Sequence, residues 1–361
     1  MGECLKNLRP TIQEIERYVP GKSVEEIARE YGHSPGEILK LGSNENQLGP
    51  SRLAVEAIRE AAGSVHLYPD VDAAPLKRAL SEYTGLPEEL IVVSGGGMDG
   101  VIDTLMRMFV REGTDVVIPT PTFSYYEISA LANGGRPLFV PRGEGFKIET
   151  ERLIRAAGDA SLIFLCSPNN PTGDQVSERE LRSLLESVDA LIFLDEAYVE
   201  FADRSFAHLV LEYENLVVGR TFSKAFGLAG LRLGYALMSE AIEREYMKVA
   251  TPFSISRVAE HAGIAALRDR EHLKESIEMV ERGRRQVSRG LSLKTYPSQA
   301  NFILAETYPY LATDITGELL KRGIIIRDCT SFRDAGRYLV RITIGREEQN
   351  ERVIESLNSV V

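Results

Sequence analysis

The chain has 361 residues, 43% of them hydrophobic and 26% charged, with a formal net charge of −11. That length allows one large or two moderate domains with a substantial core. The acidic balance, unrelieved by any basic block, argues against nucleic acid or a membrane surface as partner, and an anionic ligand would need local arginines.

In chain order, the first forty residues contain a helical pattern at 24–31 and are expected to pack on a second, smaller unit. From about 90 to 240, short apolar runs alternate with longer helical patterns. The runs lie at 90–94, 116–119, 137–140, 162–166, 190–194, 215–219 and 233–237. Most lack polar alternation, as strands covered on both faces do. Helical patterns at 101–110 and 178–188 fall between them. The second opens with Ser177, and Glu180 three residues later predicts a capping box. Strand–helix alternation predicts an α/β sandwich around a mainly parallel sheet. After Leu237 the pattern changes: two long helices within 256–289, short strands at 293–296, 302–305, 323–326 and 338–344, and helices near 313–321 and 347–357. These make a smaller α+β unit. The expected division is a segment 1–40, a large domain 41–245 and a small domain 246–361.

Cys4, Cys166 and Cys329 form no CxxC pair, which suits a reducing, cytoplasmic compartment. The five histidines are scattered without ligand spacing, so no metal site is expected. The N-terminus lacks a secretory apolar core, and no run reaches the length of a membrane span.

The chemistry centres on Arg-Thr-Phe-Ser-Lys-Ala-Phe-Gly-Leu-Ala-Gly-Leu-Arg at 220–232. Lys224 sits among Phe222, Ala225, Phe226 and Leu228, where desolvation favours the neutral, nucleophilic amine. Thr221, Ser223 and Arg232 can hold a phosphate beside it. A second segment, Ser-Gly-Gly-Gly-Met-Asp-Gly at 94–100, is either an anion cradle at a helix start or a plain tight turn. Phe123, within 119–126, is either a ring stacked on a planar cofactor or a core aromatic. Ser-Pro-Asn-Asn-Pro-Thr-Gly at 167–173 holds two asparagines in a rigid turn. Asp195 ends an apolar run. It is expected to be partly buried and in need of a cation or several donors, unless it merely caps the next helix. Tyr198 follows three residues on, and Tyr68 lies beside Pro69. Together the pieces fit pyridoxal 5′-phosphate. Its aldehyde calls for Lys224, its ring nitrogen for Asp195, its phenolic oxygen for Asn170 and Tyr198, and its phosphate for the glycine-rich turn with Thr221, Ser223 and Arg232.

On these segments, with Leu-Gly-Ser-Asn-Glu-Asn at 41–46 and Arg-Ile-Thr-Ile-Gly-Arg-Glu-Glu at 341–348, the chain resembles the fold-type I aminotransferases, and within them the histidinol-phosphate group. The resemblance runs nearly end to end. It implies an α/β fold of PLP-dependent transferase type I, with a large domain around a mainly parallel seven-stranded sheet and a smaller α+β domain. Lys224, Asp195 and Tyr198 are then catalytic. Cofactor contacts come from Tyr68, Gly97, Met98, Asp99, Phe123, Asn170, Thr221, Ser223 and Arg232. Tyr68 crosses the interface of a homodimer to reach the partner's cofactor phosphate. Tyr18, Asn44, Arg327 and Arg341 bind substrate. The implied reaction passes an amino group between L-histidinol phosphate and 2-oxoglutarate, giving imidazole acetol phosphate and glutamate for histidine synthesis. Gly96, Gly100 and Gln47 depart from the family's usual residues, and Phe123 stands where many members carry tyrosine. Threonine-phosphate decarboxylase and a broad aromatic aminotransferase remain alternatives, because both use a similar scaffold. A cofactor-binding regulator without turnover would be expected to lack part of the lysine, aspartate and tyrosine set.

Overall fold

The computed structural model describes residues 7–17 and 21–361, so Tyr18 and Cys4 lie outside it. Leu39–Lys40 forms β1. Seven strands follow: β2 (Ile91–Ser94), β3 (Asp115–Thr120), β4 (Arg136–Pro141), β5 (Leu162–Cys166), β6 (Leu191–Asp195), β7 (Leu216–Thr221) and β8 (Gly234–Leu237). They build one sheet in the order β2-β8-β7-β6-β5-β3-β4. All run parallel except β8, which is antiparallel to both neighbours. The apolar runs explain this arrangement. Every residue of β5 and β6 is buried, and successive side chains point to opposite faces, so both faces are covered. Each buried Leu, Ile or Phe contributes roughly 1.5–3 kcal/mol relative to exposure. The register sets Leu162 beside Leu191 and Phe164 beside Phe193, which carries Cys166 level with Asp195 at the carboxyl edge.

The helix Glu178–Ser187 begins where its capping box places it. The Glu180 amide donates to Ser177 Oγ at 3.2 Å, and the Ser177 amide donates to Glu180 Oε2 at 2.7 Å.

A second layer contains β9 (Lys294–Thr295), β10 (Phe302–Glu306), β11 (Ile324–Ile325), β12 (Arg327–Asp328) and β13 (Leu339–Thr343). Four of these form an antiparallel sheet, β12-β13-β10-β9, while β11 pairs in parallel with β1. The strand expected at 323–326 is thus only Ile324–Ile325, and a further short strand that was not expected follows it. The chain changes sheets at Ile326, and the second piece brings Arg327 beside Arg341. The long helices Arg257–Arg268 and Arg270–Gly290 precede this layer, and Ala312–Lys321 and Glu347–Asn358 complete it.

The N-terminal residues divide between the two layers. His33 Nε2 lies 3.0 Å from the Lys321 carbonyl, and Arg352 Nη1 donates to the Glu37 carbonyl at 2.8 Å, both on the smaller unit. The turn Pro10–Glu14 instead leans on the helix Tyr125–Ala132. There Arg9 Nη1 donates to Ala132 O at 2.9 Å and Thr11 Oγ1 to Leu131 O at 2.6 Å. Among the described residues no helix is long and apolar enough to cross a membrane.

Candidate active site

The carboxyl ends of β2, β3, β5, β6 and β7 open onto one cavity of about 320 Å³, roofed by β12 and β13. Ligands of open α/β sheets gather at that edge. Met98 and Asp99 reach it after β2, Phe123 after β3, Asn170 after β5, and Asp195 and Tyr198 from the end of β6. Thr221, Ser223, Lys224 and Arg232 come from the β7–β8 connection, Asn44 follows β1, and Arg327 and Arg341 descend from the smaller sheet. Gly97 caps the adjoining helix. Tyr68 does not reach this cavity within its own chain. It is 79% exposed and packs on Phe253 at 4.9 Å.

Lys224 Nζ donates to the Ser43 carbonyl at 3.2 Å and lies 5.8 Å from the centre of the Tyr198 ring. Burial, and then the nearby Arg341 charge, pull its pKa down to about 8. An amine so placed is a ready nucleophile toward an aldehyde. Asp195 is 2% exposed. Burial pushes its carboxyl up to about 6, opposed by hydrogen bonds from Tyr126 and the Ala197 amide. The Tyr126 hydroxyl donates to Oδ2, and Ala197 N donates to Oδ1 at 2.9 Å. Neither donor is a cation, so the carboxylate is short of a positive partner.

Tyr198 is held rather than loose. Asn44 Nδ2 donates to its hydroxyl at 3.0 Å, and Thr343 Oγ1 donates to Asn44 Oδ1 at 3.1 Å. Asn44 takes a left-handed φ of 55° to do this. The two asparagines of the rigid turn have different surroundings. Asn169 is wholly buried and ties loops together, accepting from Thr122 Oγ1 at 2.8 Å and donating to the Pro121 carbonyl at 3.0 Å. Asn170 faces the cavity and accepts from Arg341 Nη1. Arg341 Nη2 also donates to the Gly42 carbonyl at 2.6 Å.

At the other end, Gly97 adopts φ 72° as N-cap of Met98–Phe109, and its amide donates to the Arg232 carbonyl at 2.7 Å. A Cβ there would be strained by that φ and would press on the Arg232 guanidinium. Arg232 Nη2 meets Asp99 Oδ2 at 2.9 Å, and Thr221 Oγ1 donates to Ser223 Oγ at 2.9 Å. Helix-start amides, two hydroxyls and a guanidinium form an anion cradle. Gly100 also has a local reason, since a Cβ there would overlap Ser94 Oγ.

Sequence reasoning assigned no role to three contributors: Tyr126, Asn169 and the pair Glu196–Arg220. Arg220 Nη2 meets Glu196 Oε2 at 2.8 Å with both side chains buried, and donates to Ser205 Oγ at 2.5 Å. This pair joins the ends of β6 and β7, next to Asp195 and Thr221. Glu196→Ala leaves a buried guanidinium uncompensated and should cost about 3–5 kcal/mol of stability. Chemical denaturation measures this, and a loss within error of zero would refute the pair's structural role.

The donor set fits a pyridine ring bearing an aldehyde and a phosphate. Asp195 lacks a cation, which a protonated ring nitrogen would supply; Lys224 would meet the aldehyde with its amine, and the helix start would hold the phosphate.

A family model described as aminotransferase class I and II matches residues 36–357. The histidinol-phosphate aminotransferase of Methanosarcina barkeri is 53% identical over 98% of this chain and 96% of its own length. That of Methanococcoides burtonii is 51% identical, covering 98% of each. Among solved structures, the histidinol-phosphate aminotransferase of Sinorhizobium meliloti in complex with pyridoxal 5′-phosphate superposes with a TM-score of 0.88 at 29% identity, covering 98% of this chain and 97% of that one. With strand order, cavity and near full-length match in agreement, the chain belongs to the class I and II aminotransferase family.

Proposed function

We propose that this protein is a pyridoxal-phosphate-dependent enzyme that transfers the amino group of L-histidinol phosphate to 2-oxoglutarate, giving imidazole acetol phosphate and L-glutamate in histidine biosynthesis. It would work as a cytoplasmic homodimer. The observation that carries the reading is the placement of Arg327 and Arg341 as direct cross-strand partners above the cavity that holds Lys224 and Asp195. Two guanidinium groups side by side suit a substrate that brings a phosphate or a carboxylate. The full-length relatives at 51–53% identity support the choice of histidinol phosphate over the decarboxylase and the broad aromatic alternatives.

When bound, the cofactor supplies a carbonyl for amine exchange and a ring that accepts electron density from the substrate carbon. The chain's residues do the rest. Asp195 holds a proton on the ring nitrogen. Asn170 and Tyr198 would hold the phenolic oxygen, with Tyr198 fixed in turn by Asn44. The Met98 and Asp99 amides, Thr221, Ser223 and Arg232 would hold the phosphate, and Phe123 would cover the ring. Lys224 Nζ would act as the base that takes the proton from the amine-bearing carbon. Arg327 and Arg341 orient the substrate by its anionic end. Tyr18, outside the described residues, would join them.

The homodimer draws support from an exposed apolar patch of Val65, Leu67, Tyr68, Val71 and Phe253. A second copy covering it would bring Tyr68 toward the partner's phosphate cradle.

The test is a half-reaction on cofactor-loaded protein without a keto acid. One equivalent of imidazole acetol phosphate per site from L-histidinol phosphate is the expected result. Carbon dioxide release from threonine phosphate, without amino transfer, would overturn it. Arg341→Ala should raise KM for both histidinol phosphate and glutamate roughly 30-fold or more, as truncating one partner of a buried charge pair does. Unchanged KM values for both would remove Arg341 from the substrate site.

A further inference from the structure

We propose that Tyr126 is a positioning residue for this reaction: its hydroxyl keeps the Asp195 carboxylate charged and fixed for the cofactor's ring nitrogen, while its ring props Phe123. The inference rests on the cofactor reading above and goes beyond it by assigning the group that acts through Asp195.

Tyr126 is wholly buried at the start of the helix Tyr125–Ala132. Its hydroxyl donates to Asp195 Oδ2. Its ring stacks on Phe164 of β5, with centroids 4.4 Å apart and planes 5° from parallel. Phe123, three residues earlier, meets the same ring edge-on at 5.6 Å and 90°. One side chain therefore touches both the carboxylate at the end of β6 and the aromatic that lines the cavity. Stacking on a buried strand residue leaves the phenol little freedom to swing, so its proton points at a fixed oxygen. The second oxygen, Oδ1, is fixed by the Ala197 amide at 2.9 Å. A carboxylate offers about four acceptor sites, so Tyr126, the Ala197 amide and the Cys166 thiol leave room for the ring nitrogen.

A tyrosine in this place solves an electrostatic problem. Burial and the charge of Asp99 both favour protonating Asp195, while hydrogen bonds from Tyr126, the Ala197 amide and, less strongly, the Cys166 thiol on β5 oppose it. A protonated Asp195 could not pair with a pyridinium. The Tyr126 hydrogen bond stabilises the ionised form, lowering the proton affinity of the carboxylate so that the shared proton stays on nitrogen. Removing the hydroxyl makes Asp195 more basic and draws that proton toward oxygen, which weakens the ring as an electron acceptor. A tyrosine that served only as core filler would leave the nitrogen's protonation untouched.

The experiment loads wild type, Tyr126→Phe, Asp195→Asn and the double variant with cofactor labelled with nitrogen-15 in the ring. The nitrogen chemical shift and the cofactor dissociation constant are then measured. Phenylalanine keeps both ring contacts, so the fold is preserved. The expected shift for wild type is that of a protonated ring, and Tyr126→Phe moves it toward the unprotonated value with about tenfold weaker cofactor binding. In the Asp195→Asn background, adding Tyr126→Phe should change neither quantity further, since the partner it acts on is gone. An unchanged nitrogen shift in Tyr126→Phe, or an effect of equal size in the Asp195→Asn background, would overturn the inference while leaving the cofactor reading intact. Wild-type protein that takes up no cofactor would instead overturn that reading, and this inference with it.

Discussion

Lys224→Ala should give a folded protein whose steady-state transamination falls by more than about 10⁴-fold, because the proposed mechanism makes one side chain both the nucleophile and the base that moves the proton. The fold should not suffer. Lys224 Nζ makes one hydrogen bond, to the Ser43 carbonyl, and burial disfavours its charged form. The sign follows from the pKa lowered from 10.5 to about 8. Between those values the unfolded chain still holds a proton that the folded chain has released, so wild-type stability rises with pH across that window. Below about 8 both states are protonated and the fold carries the whole penalty. Alanine removes it, so the cofactor-free variant should melt no lower than wild type at pH 7. The same pKa predicts that cofactor uptake by the cofactor-free wild type accelerates as pH rises through about 8, as followed by absorbance. A variant that retains steady-state turnover would end the assignment of Lys224.

Asp195→Asn should lose activity by about 10³-fold, yet stabilise the cofactor-free protein at neutral pH. On the proposed mechanism the activity loss follows from removing the charge that would hold the ring nitrogen's proton, a preorganised electrostatic contribution of the kind that costs roughly 10²–10³ in kcat when one group is deleted. The stability gain follows from burial. With the carboxyl raised from 3.8 to about 6, the folded chain holds a proton that the unfolded chain has already lost. Stability therefore falls as pH climbs through that window, and above about 6 the penalty is complete. An amide of the same shape escapes it. Its oxygen can accept from Ala197, and the Tyr126 hydroxyl can accept from its NH₂. Melting temperatures of the two cofactor-free proteins should differ most above pH 7 and converge toward pH 4. A variant less stable than wild type at pH 7.5 would contradict this account.

The sheet was legible because its strands are buried on both faces and so appear as unbroken apolar runs, such as Leu-Ile-Phe-Leu in both β5 and β6. The capping box at Ser177 and Glu180 was legible because its two hydrogen bonds are local. Several helices were not, among them Arg52–Ala61, Ala74–Thr84 and Tyr125–Ala132. The last is short and apolar on most sides, so 3.6-residue periodicity hardly shows there. Most cavity-lining residues come from six connections far apart in sequence, with Arg327 and Arg341 added by strands of the smaller sheet. Chemistry-bearing motifs at strand ends marked them, and the sheet's parallel topology gathers those ends. Tyr126 escaped notice beside Phe123 because nothing in a tyrosine three residues from another ring says which carboxylate its hydroxyl meets. The strand β12 escaped because two residues carry no pattern, although it decides where Arg327 sits. Asn169 and Asn170 look alike in sequence, and only the packing of Thr122 and Pro121 separates them.

The exposed Tyr68 resting on Phe253 has a genetic consequence. In the proposed homodimer, a chain that lends its tyrosine to a neighbour would build each site from two copies. A copy disabled at Lys224 and a copy disabled at Tyr68 would then rescue each other in mixed dimers. Each such dimer keeps one intact site, because both lesions fall together in the other. Recovery of up to about a quarter of the activity on co-expressing two inactive alleles would follow from random pairing, and dilution below the dimer's dissociation constant would erase it.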